Sequence, residues 1–286
     1  MELLTKLFSK AKETKKQERI LILIWNLGIG GVQKRVKDMV KDLNKNHPQV
    51  KIDILVKYRQ PAFFNQEIEQ LENVTVHHAP VKGTKSQGRI AYLTHAMFIL
   101  WVWFKYLLIN PTTILTFMSD LSFLMVVINK LTFFRKARHI INEGVFTRDY
   151  LKIHSVKPEF DNKVLRFFYS QADKIVVPTK IIKQDFVEHY GLDGNKIVMI
   201  PNWTLFKSCP DKEKEIDLIY VGRFEQEKQL LDLLDVIKEL ASNQFKDMKV
   251  LFLGDGSQKE ALVKKINKLG LADNVGLNPP SPNVSH

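Results

Sequence analysis

The chain has a single cysteine, Cys209, in 286 residues. That excludes a disulfide framework and a thiolate metal site, and it fits a reducing cytoplasm. The first residues lack an uninterrupted apolar core and a small-residue cleavage site, so no secretory signal is expected. No short-period repeat or low-complexity tract occurs. Also absent are a G-x-S-x-G elbow, an H-E-x-x-H pair, a Walker lysine and an Asp-x-Asp metal pair. The tempting "HHAP" at 77–80 reads as a surface pair, because adjacent strand residues point to opposite faces. No metal and no cofactor are therefore expected.

Acidic residues are scarce in one part only. Residues 1–206 hold 31 Lys+Arg against 18 Asp+Glu, whereas residues 207–286 hold 12 against 13. A basic first part suits nucleic acid, an anionic membrane or acidic substrates. Nucleic acid is disfavoured, since there is no zinc-finger spacing, aromatic ribonucleoprotein signature or basic recognition helix. The opening "MELLTKLFSKAKETKKQ" gathers Leu3, Leu4, Leu7, Phe8 and Ala11 on one helical face, a pattern suited to an anionic membrane surface. A frayed basic tail is the competing reading. A second apolar run, Ala91–Ile109, is long enough to span a bilayer, but His95 and Lys105 interrupt it. A buried helix is expected there, dipping at most to the interface.

What the chain has in quantity is alternation. Short β-branched runs such as "ILILIW" (Ile20–Trp25), "VKIDILVK" (Val50–Lys57) and "KIVVPT" (Lys174–Thr179) are separated by helical patterns. That order predicts an α/β fold with parallel sheets. A polar, strandless stretch between Trp203 and Glu215 divides two such series, giving a basic segment 1–19, a first domain 20–205 and a partial second domain 206–286. The second series runs out after two or three strands, in "NPPSPNVSH". So small a sheet is expected to leave apolar surface and strand edges uncovered.

The stretch "WNLGIGGVQKRV" (25–36) places three glycines where the first strand hands over to a helix. Helix starts carry unpaired N–H groups, and glycine lets an anion approach them. A dinucleotide fingerprint is disfavoured, and a tight turn needed only for packing is the competing reading. Starting at Gly28 the fingerprint requires glycine where Gln33 stands, and the second strand offers only Asp53, in its middle.

The run "DLIYVGRFEQEKQLLDLLDVIKEL" (Asp217–Leu240), followed by "KVLFLGDGSQKEAL", resembles the start of the nucleotide-binding domain of retaining glycosyltransferases of family four. "GGVQKRVKDMV" is similar to their first-domain helix start, and "ADKIVVPTKIIKQDFVEHYGLDGNKIVMIPN" to the segment closing that domain. The resemblance covers most of residues 20–278. It implies a GT-B fold, two Rossmann-like domains with the active site in the cleft, here with the second domain incomplete. It further implies hexosyl transfer from a nucleotide-sugar donor to a polysaccharide, lipopolysaccharide or lipid-linked glycan, in the cytoplasm or peripherally on the inner face of the cell membrane.

Residue by residue, the resemblance implies that Arg223 and Lys228 hold the donor diphosphate, a fork and a point charge suited to phosphate oxygens. Gly30 and Gly31 present backbone to those phosphates. Glu143 is the candidate catalytic residue, although it is followed by Gly144 where many relatives have a histidine. His139, inside the preceding strand, reads as packing. Gln229 replaces a frequent glycine after Glu-Lys. The family's paired glutamates, seven residues apart, fall beyond residue 286, so poor sugar transfer is expected of the chain as written. Two alternatives stand beside this reading: an inactive GT-B remnant that only binds, and a basic membrane-surface or nucleic-acid binder.

Overall fold

The computed structural model describes residues 17–59, 63–80, 89–134, 137–147, 158–202, 215–243 and 245–280. It divides into two compact units, Met1–Trp203 and Thr204–His286. The apolar-basic opening segment lies outside the described residues up to position 16, as do Cys209 and most of the polar stretch before Glu215.

The first unit is a seven-stranded sheet in the order β3-β2-β1-β4-β5-β6-β7, every pair parallel. Its strands are β1 (Arg19–Ile24), β2 (Lys51–Val56), β3 (Val74–His78), β4 (Thr113–Thr116), β5 (Arg138–Asn142), β6 (Lys174–Val177) and β7 (Ile197–Met199). β7 is shorter than the run from Lys196 to Asn202 suggests. The helices are α1 (Gly31–Asn46), α2 (Asn65–Glu69), α3 (Arg89–Ile109), α4 (Ser119–Leu131), α5 (Pro158–Ser170) and α6 (Lys180–Glu188).

β1 shows why its sequence is apolar without a break. Ile20, Ile22 and Ile24 enter one core with Val36, Met39, Val40 and Leu43 of α1. Leu21 and Leu23 enter another, on the opposite face, with residues of α3 and α4. A strand with helices on both sides has no polar face to show. At its start, Arg19 donates to Asp53 at 2.6 and 3.0 Å, and His77 of β3 meets the same carboxylate at 2.8 Å. Burial pushes Asp53 up, and the His77 and Arg19 hydrogen bonds more than reverse it. Asp53 is thus a tie between three strands, and His78 pairs separately with Glu69 at 3.4 Å. Among the described residues no His, Cys, Asp or Glu cluster could hold a metal.

One expectation fails. α3 is not a buried helix, since only 22% of its Tyr92–Ile109 window is buried. Phe98, Val102, Tyr106 and Ile109 pack inward, while Leu93, Leu100, Phe104 and Leu108 are exposed. A helix apolar all round has no polar side to signal which stripe meets the core.

The second unit is a three-stranded parallel sheet, β8 (Leu218–Val221), β9 (Val250–Leu253) and β10 (Val275–Asn278), in the order β10-β9-β8. Its helices α7 (Leu230–Asn243) and α8 (Lys259–Leu269) share one core with Val250, Phe252 and Val275. On the alternate positions of β8, Ile219 and Val221 are 53% and 50% exposed.

Candidate functional site

In parallel sheets, ligands collect at the carboxyl ends of the strands. Both units place their glycine turns there.

In the first unit, the turn after β1 is held by Asn26, whose Oδ1 accepts from Gly28 N–H at 3.0 Å and Gln33 Nε2 at 3.3 Å. Gly30 then precedes α1, which has no side-chain cap and no acidic residue in its first turn. A methyl group on Gly31 meets nothing within 4 Å, and one on Gly30 meets only the movable end of Gln33. Packing therefore does not demand glycine at either place. The bare backbone of an uncapped helix start faces open space.

One turn into α1, Arg35 points across to the end of β5. Its Nη2 donates to Asn142 Oδ1, and its guanidinium lies 5.9 Å from the Phe117 ring centroid. Burial lowers the Arg35 pKa, and Glu143 offsets part of that effect. Glu143 itself is buried, with both oxygens turned inward. Oε1 accepts from Gly144 N–H at 3.1 Å and Val145 N–H at 3.3 Å, while Oε2 accepts from the Tyr169 hydroxyl. Burial pushes its carboxyl up, against these hydrogen bonds and Arg35. In this geometry Glu143 braces the turn after β5.

His139 is likewise interior, sharing a 3.0 Å hydrogen bond with Thr116, which in turn shares one of 2.8 Å with Ser122. Burial drives its pKa down to about 3, so the imidazole is neutral at ordinary pH. A second cation, not singled out by sequence reading, is Lys57, just after β2. Its buried Nζ lies 4.4 Å from the Trp25 ring centroid, 5.0 Å from Phe98 and 5.1 Å from Tyr58. Aromatic faces here replace part of the lost water. Burial still lowers the Lys57 pKa, with Asp120 opposing.

In the second unit, β8 runs into Gly222 and Arg223, and a 3-10 turn at Gln226–Lys228 follows. Arg223 is exposed and donates to Glu227 at 3.0 Å, while Lys228 stands exposed in the same turn. An exposed pair of that kind is weak, so the guanidinium is free to change partners. The backbone beneath is fixed. Phe224 N–H donates to Asp255 O, and Gln258 N–H donates to Phe224 O, both at 2.9 Å. Glu225 accepts from Ser257 Oγ at 2.6 Å. This closeness requires glycine in the β9 turn: a methyl on Gly254 falls 1.9 Å from Gly222 O, and one on Gly256 falls 2.4 Å from Phe224 O. Gln229 closes the turn at φ 52°, in the left-handed region.

The structure thus groups Arg223 with Lys228 in one unit, and Gly30 and Gly31 with Arg35 and Glu143 near one sheet edge of the other. Sequence reading missed Arg35, although its place one turn after an uncapped glycine start was a usable signal.

Comparison with known proteins bears on what these edges serve. The family model described as Glycosyltransferase Family 4 matches residues 29–204, and the one described as Glycosyl transferases group 1 matches residues 201–285. The uncharacterized glycosyltransferase MJ1059 of Methanocaldococcus jannaschii is 30% identical over 142 residues, 44% of this chain and 35% of that protein. The chain therefore spans about a third of the length of this curated relative. Among solved structures, the apo lipopolysaccharide outer core galactosyltransferase WaaB matches with TM-score 0.58 at 14% identity, covering 93% of this chain and 69% of that one. A TarM variant from S. aureus, in complex with fondaparinux, alpha-GlcNAc-glycerol and UDP, matches with TM-score 0.67 at 10% identity, covering 93% and 78%. Such likenesses show the fold, which is GT-B.

Proposed function

The chain belongs to the family described as Glycosyltransferase Family 4, and on that premise we propose that it transfers a sugar, with retention of anomeric configuration, from a nucleotide diphosphate donor to a polysaccharide, lipopolysaccharide or lipid-linked glycan. The observation that carries this reading is the Gly222–Lys228 turn, which presents Arg223 and Lys228 on a backbone locked from behind by Gly254 and Gly256. When the anomeric carbon leaves the diphosphate oxygen for an acceptor oxygen, negative charge develops on the diphosphate. Cations carried at that point by a fixed backbone stabilise the transition state more than the ground state.

In the first unit, the uncapped α1 start at Gly30 and Gly31, with Arg35 one turn in, is an anion-accepting edge of its own. Glu143 acts through Arg35 and the turn it braces, since neither carboxylate oxygen faces outward. A lipid-linked acceptor sets the reaction at the cytoplasmic face of the cell membrane. WaaB, a lipopolysaccharide outer core galactosyltransferase, and the TarM complex, with its UDP and alpha-GlcNAc-glycerol, support the donor and acceptor classes by analogy of fold.

Calorimetry with UDP, GDP and ADP tests the donor site. Wild type binds one of them, and Arg223→Ala weakens it by about 1.5–3 kcal/mol, the worth of a charge-assisted hydrogen bond. Equal affinities in the two proteins overturn the assignment. Binding with no sugar released from the matching nucleotide sugar removes transfer from the proposal and leaves a nucleotide-binding module.

A further inference from the structure

α3 carries two apolar faces with different fates. Its inner stripe, Phe98, Val102, Tyr106 and Ile109, lies in the core under the sheet. The Tyr106 hydroxyl also donates to Asn129 of α4 at 2.7 Å. Its outer stripe, Leu93, Met97, Leu100, Phe104 and Leu108, recurs at spacings of three and four and is exposed along the helix. Trp103 Nε1 donates to Thr132 Oγ1 at 3.3 Å, joining this stripe to the turn after α4. There Phe133, 83% exposed, stands edge-to-face against the exposed Phe134. Large side chains half exposed in such number present on the order of 1,000 Å² of surface. The largest apolar patch of a typical monomer is about 300–600 Å².

We infer that this surface, the outer stripe of α3 with the turn at 131–134, seats the protein in the headgroup region of an anionic phospholipid bilayer. The inference rests on α3 and its surroundings and stands or falls independently of sugar transfer.

Charge selects the occupant. Residues 81–142, which contain both elements and their flanks, hold eight Lys+Arg and one acidic residue, Asp120. An exposed apolar and aromatic stripe in a stretch of sequence with so few acidic residues matches a surface of acyl chains beneath anionic headgroups. A second copy of the chain fits poorly, because a two-fold interface sets the same patch against itself, basic flank against basic flank. Crossing the bilayer is excluded by the inner stripe. Full insertion of α3 would carry the strands it packs on and the buried Asn129 amide into hydrocarbon. The helix instead lies in the plane of the membrane, about 5–10 Å deep.

Flotation of the full chain with vesicles of phosphatidylcholine and about one-third phosphatidylglycerol tests this, beside vesicles of phosphatidylcholine alone. Wild type floats with the anionic vesicles, and added salt weakens the association. The double variant Leu100→Glu, Phe104→Glu loses at least about tenfold in partitioning, while Val263→Glu, an exposed apolar site on α8, floats like wild type. Circular dichroism confirms that each variant is folded. If the double variant is not, Phe133→Ser and Trp103 quenching by lipid-borne spin labels in the wild-type background replace it. Three results overturn the inference: flotation unchanged by the substitutions, flotation abolished by deleting residues 1–16 alone, or no flotation with a dimer that the double variant dissociates.

Discussion

The two sheets of this molecule solve the same packing problem to different extents. The first has helices on both faces, so every residue of β1 from Ile20 to Ile24 is buried. The second has both its helices in one core and shows Ile219 and Val221 on the other face of β8. Their glycine turns differ in the reverse sense. The turn of the smaller sheet is sterically committed, with Gly254 and Gly256 pressed onto the backbone of the Gly-Arg turn, whereas the larger sheet leaves Gly31 in open space. A glycine that folding needs and a glycine that folding ignores look alike in a sequence. Only the second has its missing side chain explained by something outside the chain.

Substitution breaks this comparison most sharply. Gly254→Ala forces a carbon into backbone that has no room to yield, and it should destabilise the second unit by about 3 kcal/mol or more. Gly31→Ala should change stability by less than about 0.5 kcal/mol while weakening nucleotide binding. Unit-resolved hydrogen exchange and calorimetry read the two effects. Comparable destabilisation by both substitutions would mean that Gly31 is a folding residue.

Acid sharpens it next. His139, in the first unit, has a folded pKa of about 3 against 6.5 for the free side chain. Above pH 6.5 both states are neutral and stability is complete. Below it the unfolded chain takes up a proton that the native core refuses, removing up to about 1.4 kcal/mol per pH unit until pH 3 is approached. Glu143 runs the other way, because its raised pKa lets the native state keep a proton longer than the unfolded chain does. The difference between wild type and His139→Gln, measured by urea titration from pH 7 to about 4.5, isolates the histidine. The variant should lose the steeper slope, in first-unit probes only.

The smallest effect is at Gln229. A non-glycine residue at φ 52° carries strain of about 1 kcal/mol, so Gln229→Gly should raise the stability of the second unit by about that much. A loss of stability in thermal melts would show that the glutamine side chain repays the strain.

The same contrasts mark how far sequence reading reached. The strand–helix alternation, the handover at Gly28–Gly31 and the Gly-Arg turn were legible because each is local: a period, a breaker, a charge after a strand. Arg35 was not singled out, because a basic residue on an amphipathic helix reads as solvated until β5 is seen opposite it. Lys57 was missed for the same reason, its aromatic box being drawn from Trp25, Tyr58 and Phe98, far apart in the chain. Glu143 was legible as a position, but the inward commitment of both oxygens depends on Tyr169. For α3 the composition was read correctly and its surroundings were not, since an apolar helix has the same sequence whether its second face meets protein or something else.

α3 also has a consequence for how the protein is made. As the chain leaves the ribosome, the Tyr92–Ile109 segment emerges as an apolar stretch of membrane-span length. β1, which supplies Leu21 and Leu23 to its inner stripe, is already synthesised, but β4, with Ile114, is not. For the roughly one second that translation takes to reach the end of β4, at ~5–20 residues per second, the nascent segment has the length and apolar character of an anchor. Pairing of β4 with β1 ends that interval by completing the core that covers the inner stripe of the helix.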